Sequence, residues 1–172
     1  MRDKGRLRFG VSVECGPLAS DELRAVADAI GAEPGIVLWF EDFHAAPPTA
    51  GIAAVSDLGA IPIITWEPWR ATIDSIAFGE HDGHLVEWAE ALGASGSDVY
   101  LRFAHEFNGD WYPWTPAKGA PPERFVAAWR HAHDVFRQCG ATNVHWVWCP
   151  NAVSVDTAPL EAWYPLTLTS MC

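Results

Sequence analysis

The chain has 172 residues, 49% of them hydrophobic, enough for one domain with a sizeable core. Eleven basic residues face 22 acidic ones, a formal net charge of −11, and such a surface repels phosphate backbones and anionic lipids, arguing against nucleic-acid and membrane partners. A neutral polymer is indifferent to that charge, and ten tryptophans suit one, because aromatic rings serve binding sites as well as cores.

Five strand patterns alternate with helical ones along the chain. The first strand is expected at Arg8–Glu14, with a turn at Gly16-Pro17, and Ser20 as the cap of a helix that runs to Gly31. The second is Ile36–Phe40, ending in Glu41-Asp42. A small-residue helix over Thr49–Leu58 leads to the third strand, Ile61–Trp66, which ends in Glu67-Pro68-Trp69. A loop through Gly79 and Gly83 then precedes a helix at about His84–Leu92. The fourth strand begins at Val99. Its return helix, Pro122–Gln138, starts on a proline pair and carries an apolar stripe of Phe125, Val126, Trp129, Ala132 and Phe136. Asn143–Trp148 makes a fifth strand, and Pro159–Tyr164 one or two helical turns. Nearly continuous apolar strands alternating with helices predict a parallel α/β sheet. Acids end four consecutive strands (Glu14, Glu41-Asp42, Glu67, Glu106), and the carboxyl ends of barrel strands are where such folds place their sites.

The four cysteines, Cys15, Cys139, Cys149 and Cys172, show no metal-binding spacing and are expected as free thiols. No metal site is expected elsewhere: His105-Glu106 is not HExxH, because Gly109 stands where the second histidine belongs. His131 and His133 are two apart on a helix and face different ways. His44, His81 and His84 are expected to be solvated. No signal peptide or membrane-spanning run is visible in the chain, which leaves its location unknown.

The most informative stretch is Val99–Trp114, V-Y-L-R-F-A-H-E-F-N-G-D-W-Y-P-W. Strand alternation puts Tyr100, Arg102, Ala104 and Glu106 on one side and Val99, Leu101, Phe103 and His105 on the other. The side with Arg102 and Glu106 should face a polar cleft, with Arg102 paired to a strand-end acid. Asn108-Gly109-Asp110 turns the chain, and Trp111, Tyr112 and Trp114 follow. A carboxyl group at a strand end can exchange a proton with a glycosidic oxygen, while flat rings stack on the C–H faces of sugars.

The block R-F-A-H-E-F-N-G-D-W-Y-P-W resembles the fourth-strand motif of glycoside hydrolase family 26, best known for endo-β-1,4-mannanases. The resemblance extends to I-T-W-E-P-W (Ile64–Trp69), A-A-W-R-H-A-H-D-V-F (Ala127–Phe136) and N-V-H-W-V-W-C-P-N (Asn143–Asn151). It implies a TIM (β/α)8-barrel, a retaining hydrolysis without cofactor, and Glu106 as acid/base. It also implies a substrate contact or a supporting role for His105. By their place at or past strand ends, at least two of Trp66, Trp69, Trp111 and Trp114 are expected to touch sugar, with Trp148 and Glu67 as further substrate-binding candidates and Asn151 lining the cleft. Relatives are largely secreted.

A closed barrel takes about 250 residues, and this chain offers five strands. It is therefore expected to be a single partial glycosidase catalytic domain over residues 1–172, lacking strands six to eight and the nucleophile that the family carries on strand seven. The implied partner is β-mannan or a related neutral β-glycan, with self-association through open sheet edges. Two rivals remain: a non-catalytic carbohydrate-binding remnant, and a five-stranded doubly wound domain for a small ligand. The second would double back after the first strand and lacks a Gly-rich phosphate loop at Cys15-Gly16-Pro17.

Overall fold

The structure, a computed structural model, describes residues 8–152 and 158–165. Five parallel strands lie in sequential order: β1 (Gly10–Val11), β2 (Ile36–Asp42), β3 (Ile61–Glu67), β4 (Val99–Phe103) and β5 (Val144–Trp146). Sequential order with helical returns is the barrel arrangement, and the doubly wound alternative is excluded because no strand crosses back over β1. The helices are α1 (Ser20–Ile30), α2 (Thr49–Asp57), α3 (Ile73–Ala77), α4 (Asp82–Ala94) and α5 (Pro122–Gln138).

Register sorts the side chains into two sets of rows. Trp39, Ile64, Leu101 and Trp146 form one row on the helix side, and Glu41, Trp66 and Phe103 another. Ile64, Leu101, Trp66 and Phe103 are fully buried there beneath the helices. On the opposite, inward side run Leu38–Ile63–Tyr100–His145, Phe40–Thr65–Arg102 and Asp42–Glu67. Most of that side is half-buried, and Phe40 is 51% exposed. The apolar core thus sits between the sheet and its helices. Each large ring buried there adds roughly 2–3 kcal/mol of transfer free energy. Trp88 stacks on Trp66 at 4.3 Å, and Phe136 of α5 meets Trp66 edge-on at 6.1 Å. Trp88, Trp129 and Trp163 are buried, Trp129 on the apolar stripe that the sequence predicts for α5.

Several elements differ from their expected form. β1 pairs over only two residues, and Gly10 lies so close to β2 that a Cβ added there would stand 3.2 Å from the Cβ of Ile36. β5 is also shorter than expected, though the Val147 N–H still donates to the Leu101 carbonyl at 2.9 Å. Ser20 is not a cap: α1 begins at Ser20 itself, and Ala19 supplies the first carbonyl to Leu23. The expected loop before α4 contains α3, capped by Thr72, whose hydroxyl oxygen accepts from the Ser75 N–H at 3.0 Å. Pro159–Tyr164 forms a 3-10 turn at Leu160–Trp163. Cys15, Cys139 and Cys149 are free thiols, and Cys172 lies outside the described residues.

Candidate active site

β4 delivers Glu106 by abandoning strand geometry. The Ala104 N–H still donates to the Trp66 carbonyl at 3.0 Å, but Ala104 and Glu106 take φ values of 45° and 52°. These left-handed conformations are costly for residues with a Cβ, about 1–2 kcal/mol each. Two neighbouring loops hold them. The Glu106 N–H donates to the Cys149 carbonyl at 2.7 Å, and its own carbonyl accepts from the Gly109 N–H at 2.9 Å. Asn108, buried, clamps the same junction through both ends of its amide. Its Oδ1 accepts from the Asn151 N–H at 2.7 Å, and its Nδ2 donates to the Asn151 carbonyl at 3.1 Å. Asn151 therefore meets the site through its backbone.

The break in alternation corrects the expected placement of His105. Its ring meets Phe40 edge-on at 6.0 Å, and Phe40 also lies under the Arg102 guanidinium at 5.7 Å. His105 is thus turned to the inward side with Arg102 rather than away from it. His105 Nε2 is 3.1 Å from the Tyr112 hydroxyl, and Nδ1 is 3.9 Å from Glu67 Oε1. The Trp114 indole N–H donates to the His105 carbonyl at 2.8 Å.

Burial lowers the His105 pKa to about 4, helped by the charge of Arg102. Burial likewise pushes Glu67 above the ordinary carboxylate range, against the Trp69 N–H, which donates to Glu67 Oε2 at 3.0 Å, and against Arg102. Both partners at this contact are biased toward their neutral forms, so it is not an ion pair. Burial also raises the Tyr112 phenol, reinforced by the charges of Glu106 and Glu67. Arg102 does not pair with a strand-end acid: its Nε donates to Thr65 Oγ1 at 2.8 Å, and Nη1 lies 3.9 Å from Cys149 Sγ.

The tryptophans divide by exposure. Trp69 and Trp111 are 46% and 49% exposed beside Glu67 and Glu106 in the chain, and each meets Tyr112 edge-on, at 5.6 and 6.0 Å. Trp148 is half-buried, packed on Phe107 and Tyr164, with its N–H donated to the Trp163 carbonyl. Two of the four tryptophans among which at least two sugar contacts are expected, Trp66 and Trp114, are buried. Trp66 is 0% exposed on the helix side, as its register opposite Phe103 requires. Trp114 is 1% exposed, covered by Tyr112 stacked on it at 4.4 Å. Tyr112, one of the three rings that follow Glu106 in the sequence, is the one at the centre of this group, in contact with His105, Trp69, Trp111 and Trp114.

Of the histidines expected to be solvated, His44 is exposed while His81 and His84 are half-buried, and all three gather around buried Phe43, just past the end of β2. His44, His81 and His84 meet its ring edge-on at 5.3–5.4 Å. His84 Nε2 contacts the Phe43 carbonyl, and His81 Nε2 contacts Ser75 Oγ at 2.9 Å. Among the described residues no group of three or more His, Cys, Asp or Glu could hold a metal ion.

The sequence profile of glycosyl hydrolase family 26 matches residues 71–167. Endoglucanase H of Acetivibrio thermocellus is 41% identical over 120 residues, 68% of this chain and 13% of that protein. The β-1,3-xylanase TXYA of a Vibrio species is 28% identical over 167 residues, 94% of this chain and 31% of the relative. The chain thus spans less than a third of the curated relatives it matches. The fold matches the family 26 domain of an endo-β-mannanase/endo-β-glucanase from Prevotella bryantii, with TM-score 0.68 at 17% identity over 94% of this chain and 64% of that one. It also matches a β-mannanase from a symbiotic protist of the termite Reticulitermes speratus, with TM-score 0.70 at 16% identity over 93% and 61%. The five βα units described here are accordingly part of an eight-stranded barrel fold, and the chain belongs to glycosyl hydrolase family 26.

Proposed function

We propose that the chain carries the acid/base side of a retaining endo-β-glycosidase cleft, with Glu106 as the proton donor and then base. The observation that supports this best is the placement of Glu106. It is half-buried at the end of β4, fixed by the Cys149 carbonyl in a left-handed backbone, and followed by Trp111 and Tyr112. Protonation of the glycosidic oxygen by Glu106 expels the leaving sugar while a second carboxylate attacks the anomeric carbon. Ionised Glu106 then takes a proton from the water that releases the product. Trp111, Trp69 and Tyr112 offer faces and edges for sugar rings, and the His105 imidazole and the Glu67 carboxyl offer hydrogen bonds to hydroxyls.

The substrate is a neutral β-linked polysaccharide, with β-mannan as first choice. β-Glucan is the second reading, supported by the 41% identity to a protein named as an endoglucanase. A retaining mechanism needs two carboxyl groups roughly 5–5.5 Å apart. The family resemblance puts the second on a seventh strand, and the described residues contain five. The chain alone should therefore bind but not turn over these polymers, behaving as a partial catalytic domain whose outer strands can pair with another copy. The test is titration of the chain with mannotetraose and cellotetraose beside a reducing-sugar assay. Binding that perturbs Trp111 and Trp69 without product supports the reading. Robust hydrolysis abolished by Glu106→Ala would locate a nucleophile within the chain, with Glu67 first to examine. No binding of either sugar would remove the glycan reading.

A further inference from the structure

Next to Trp69 lies a hollow that the chemistry at Glu106 does not use. The connections that follow β3 and β4 enclose about 250 Å³ between Trp69, Arg70, Thr72, Asp74, Pro113 and Lys118. That volume is below the usual range for drug-sized ligands, roughly 300–1,000 Å³, and suits a single sugar unit rather than a run of main chain. Both connections leave the carboxyl ends of the strands, so the hollow lies at the same end of the sheet as Glu106. Trp69 is shared: its N–H is committed to Glu67, and its ring forms part of the hollow's wall.

The polar groups around it are mainly donors. Lys118 has no carboxylate partner among the described residues, and Arg70 holds Asp42 at 3.3 Å with most of its side chain in solvent. Thr72 commits its oxygen lone pair to the Ser75 N–H, which leaves its hydroxyl proton free to donate. The one acid in the wall, Asp74, pairs through Oδ2 with Arg124, while its Oδ1 is buried without a hydrogen-bond partner among the described residues. In a chain of net charge −11, a hollow offering an aromatic residue and a lysine with no carboxylate partner among the described residues is conspicuous. Aromatic faces suit the C–H side of a pyranose, and cations with hydroxyl donors suit a carboxylate.

We propose that this hollow is an accessory subsite for an acidic branch sugar, a uronic acid carried as a substituent on the β-glycan main chain. The proposal rests on the glycan-cleft reading for its main chain, and its ligand chemistry comes from the hollow alone. Lys118 recognises the carboxylate, Trp69 covers the ring, and the main chain lies along the Trp111–Tyr112 side.

The experiment is a heteronuclear NMR titration of the 172-residue chain with methyl β-D-glucuronide and, separately, methyl β-D-glucoside. Saturable shifts at the Trp69 indole N–H and at Thr72, Lys118 and Gly119 are expected with the glucuronide. The glucoside should bind up to about fivefold more weakly, the factor that one exposed charge contact typically contributes. Added salt should narrow that gap. Lys118→Gln should abolish the preference and Lys118→Arg should keep it, while Glu106→Gln leaves it unchanged. Equal binding of the two glycosides, no binding by either, or a preference that survives Lys118→Gln would overturn the proposal. Neutral tetraoses, run in parallel, report on the main cleft. If they shift Trp111 while the glucuronide does nothing, the branch subsite is wrong and the glycosidase reading stands. If the glucuronide binds and the tetraoses do nothing, the hollow stands as a sugar site and the main-cleft reading is wrong.

Discussion

His105 should make the fold acid-sensitive in a window set by its own pKa. The ring is buried, with 6% of its side chain exposed, and its pKa falls from 6.5 to about 4 through burial and Arg102. In the unfolded chain the imidazole takes up its proton near pH 6.5, and in the folded chain only near 4. Between those values the unfolded state binds more protons, so stability rises with pH. The His105 contribution is fully present above about pH 6.5 and is lost progressively as the pH falls to about 4. The fall from 6.5 to about 4 is worth on the order of 3 kcal/mol, a large part of a typical domain's stability. Glu67 acts with opposite sign, because its raised pKa lets the folded state take a proton first, while His81, lowered mainly by burial, acts in the same direction as His105. The assay is therefore a difference: urea unfolding of wild type and His105→Gln by tryptophan fluorescence across about pH 4 to 7, beside NMR titration of the imidazole. Wild type should lose stability more steeply than the variant below about pH 6.5. An imidazole that titrates at its ordinary value, or two parallel stability curves, would refute the reasoning.

Three further outcomes rest on packing and exposure. Asn108→Ala removes both bonds to the Asn151 backbone and leaves those backbone groups short of partners, so it should cost about 2–3 kcal/mol in urea unfolding. Trp66→Ala should cost roughly 3–5 kcal/mol, measured the same way, with no change in the glycan contacts of a variant that still folds. Trp111→Ala should leave stability within about 1 kcal/mol and weaken tetraose binding in calorimetry.

Much of the frame was legible because it rests on local pattern. The parallel strands follow from apolar runs spaced by helices, and α5 from its proline start and apolar stripe, and the bounds of α5 agree with the structure. Glu106 stood out because an acid followed Val99–Phe103 and preceded Asn108-Gly109. What local pattern concealed was long-range. No feature of Ala104 announces a left-handed residue, so the reversal that turns His105 inward was invisible. Trp66 and Trp69 are three residues apart and look alike in sequence. Pairing register then sends Trp66 under the helices, while Trp69, past the strand end, reaches solvent. The histidines around Phe43 come from two separate segments, residues 44 and 81–84, and only the fold brings them together. The α3 cap, by contrast, was readable: Thr72 ahead of Asp74 and Ser75 is an ordinary helix start.

The role of Glu106 is tested most directly by joining this chain to the remaining strands of a family 26 barrel, those of Endoglucanase H being a natural choice, and comparing Glu106 with Glu106→Gln. Turnover of β-mannan or β-glucan should fall by about 10²–10⁴-fold, the usual worth of general acid catalysis. Formation of the glycosyl-enzyme from dinitrophenyl glycosides, whose leaving groups need no proton, should remain close to wild type. Polysaccharide turnover that survives Glu106→Gln, or an equal loss on both substrates, would contradict its assignment as the proton donor.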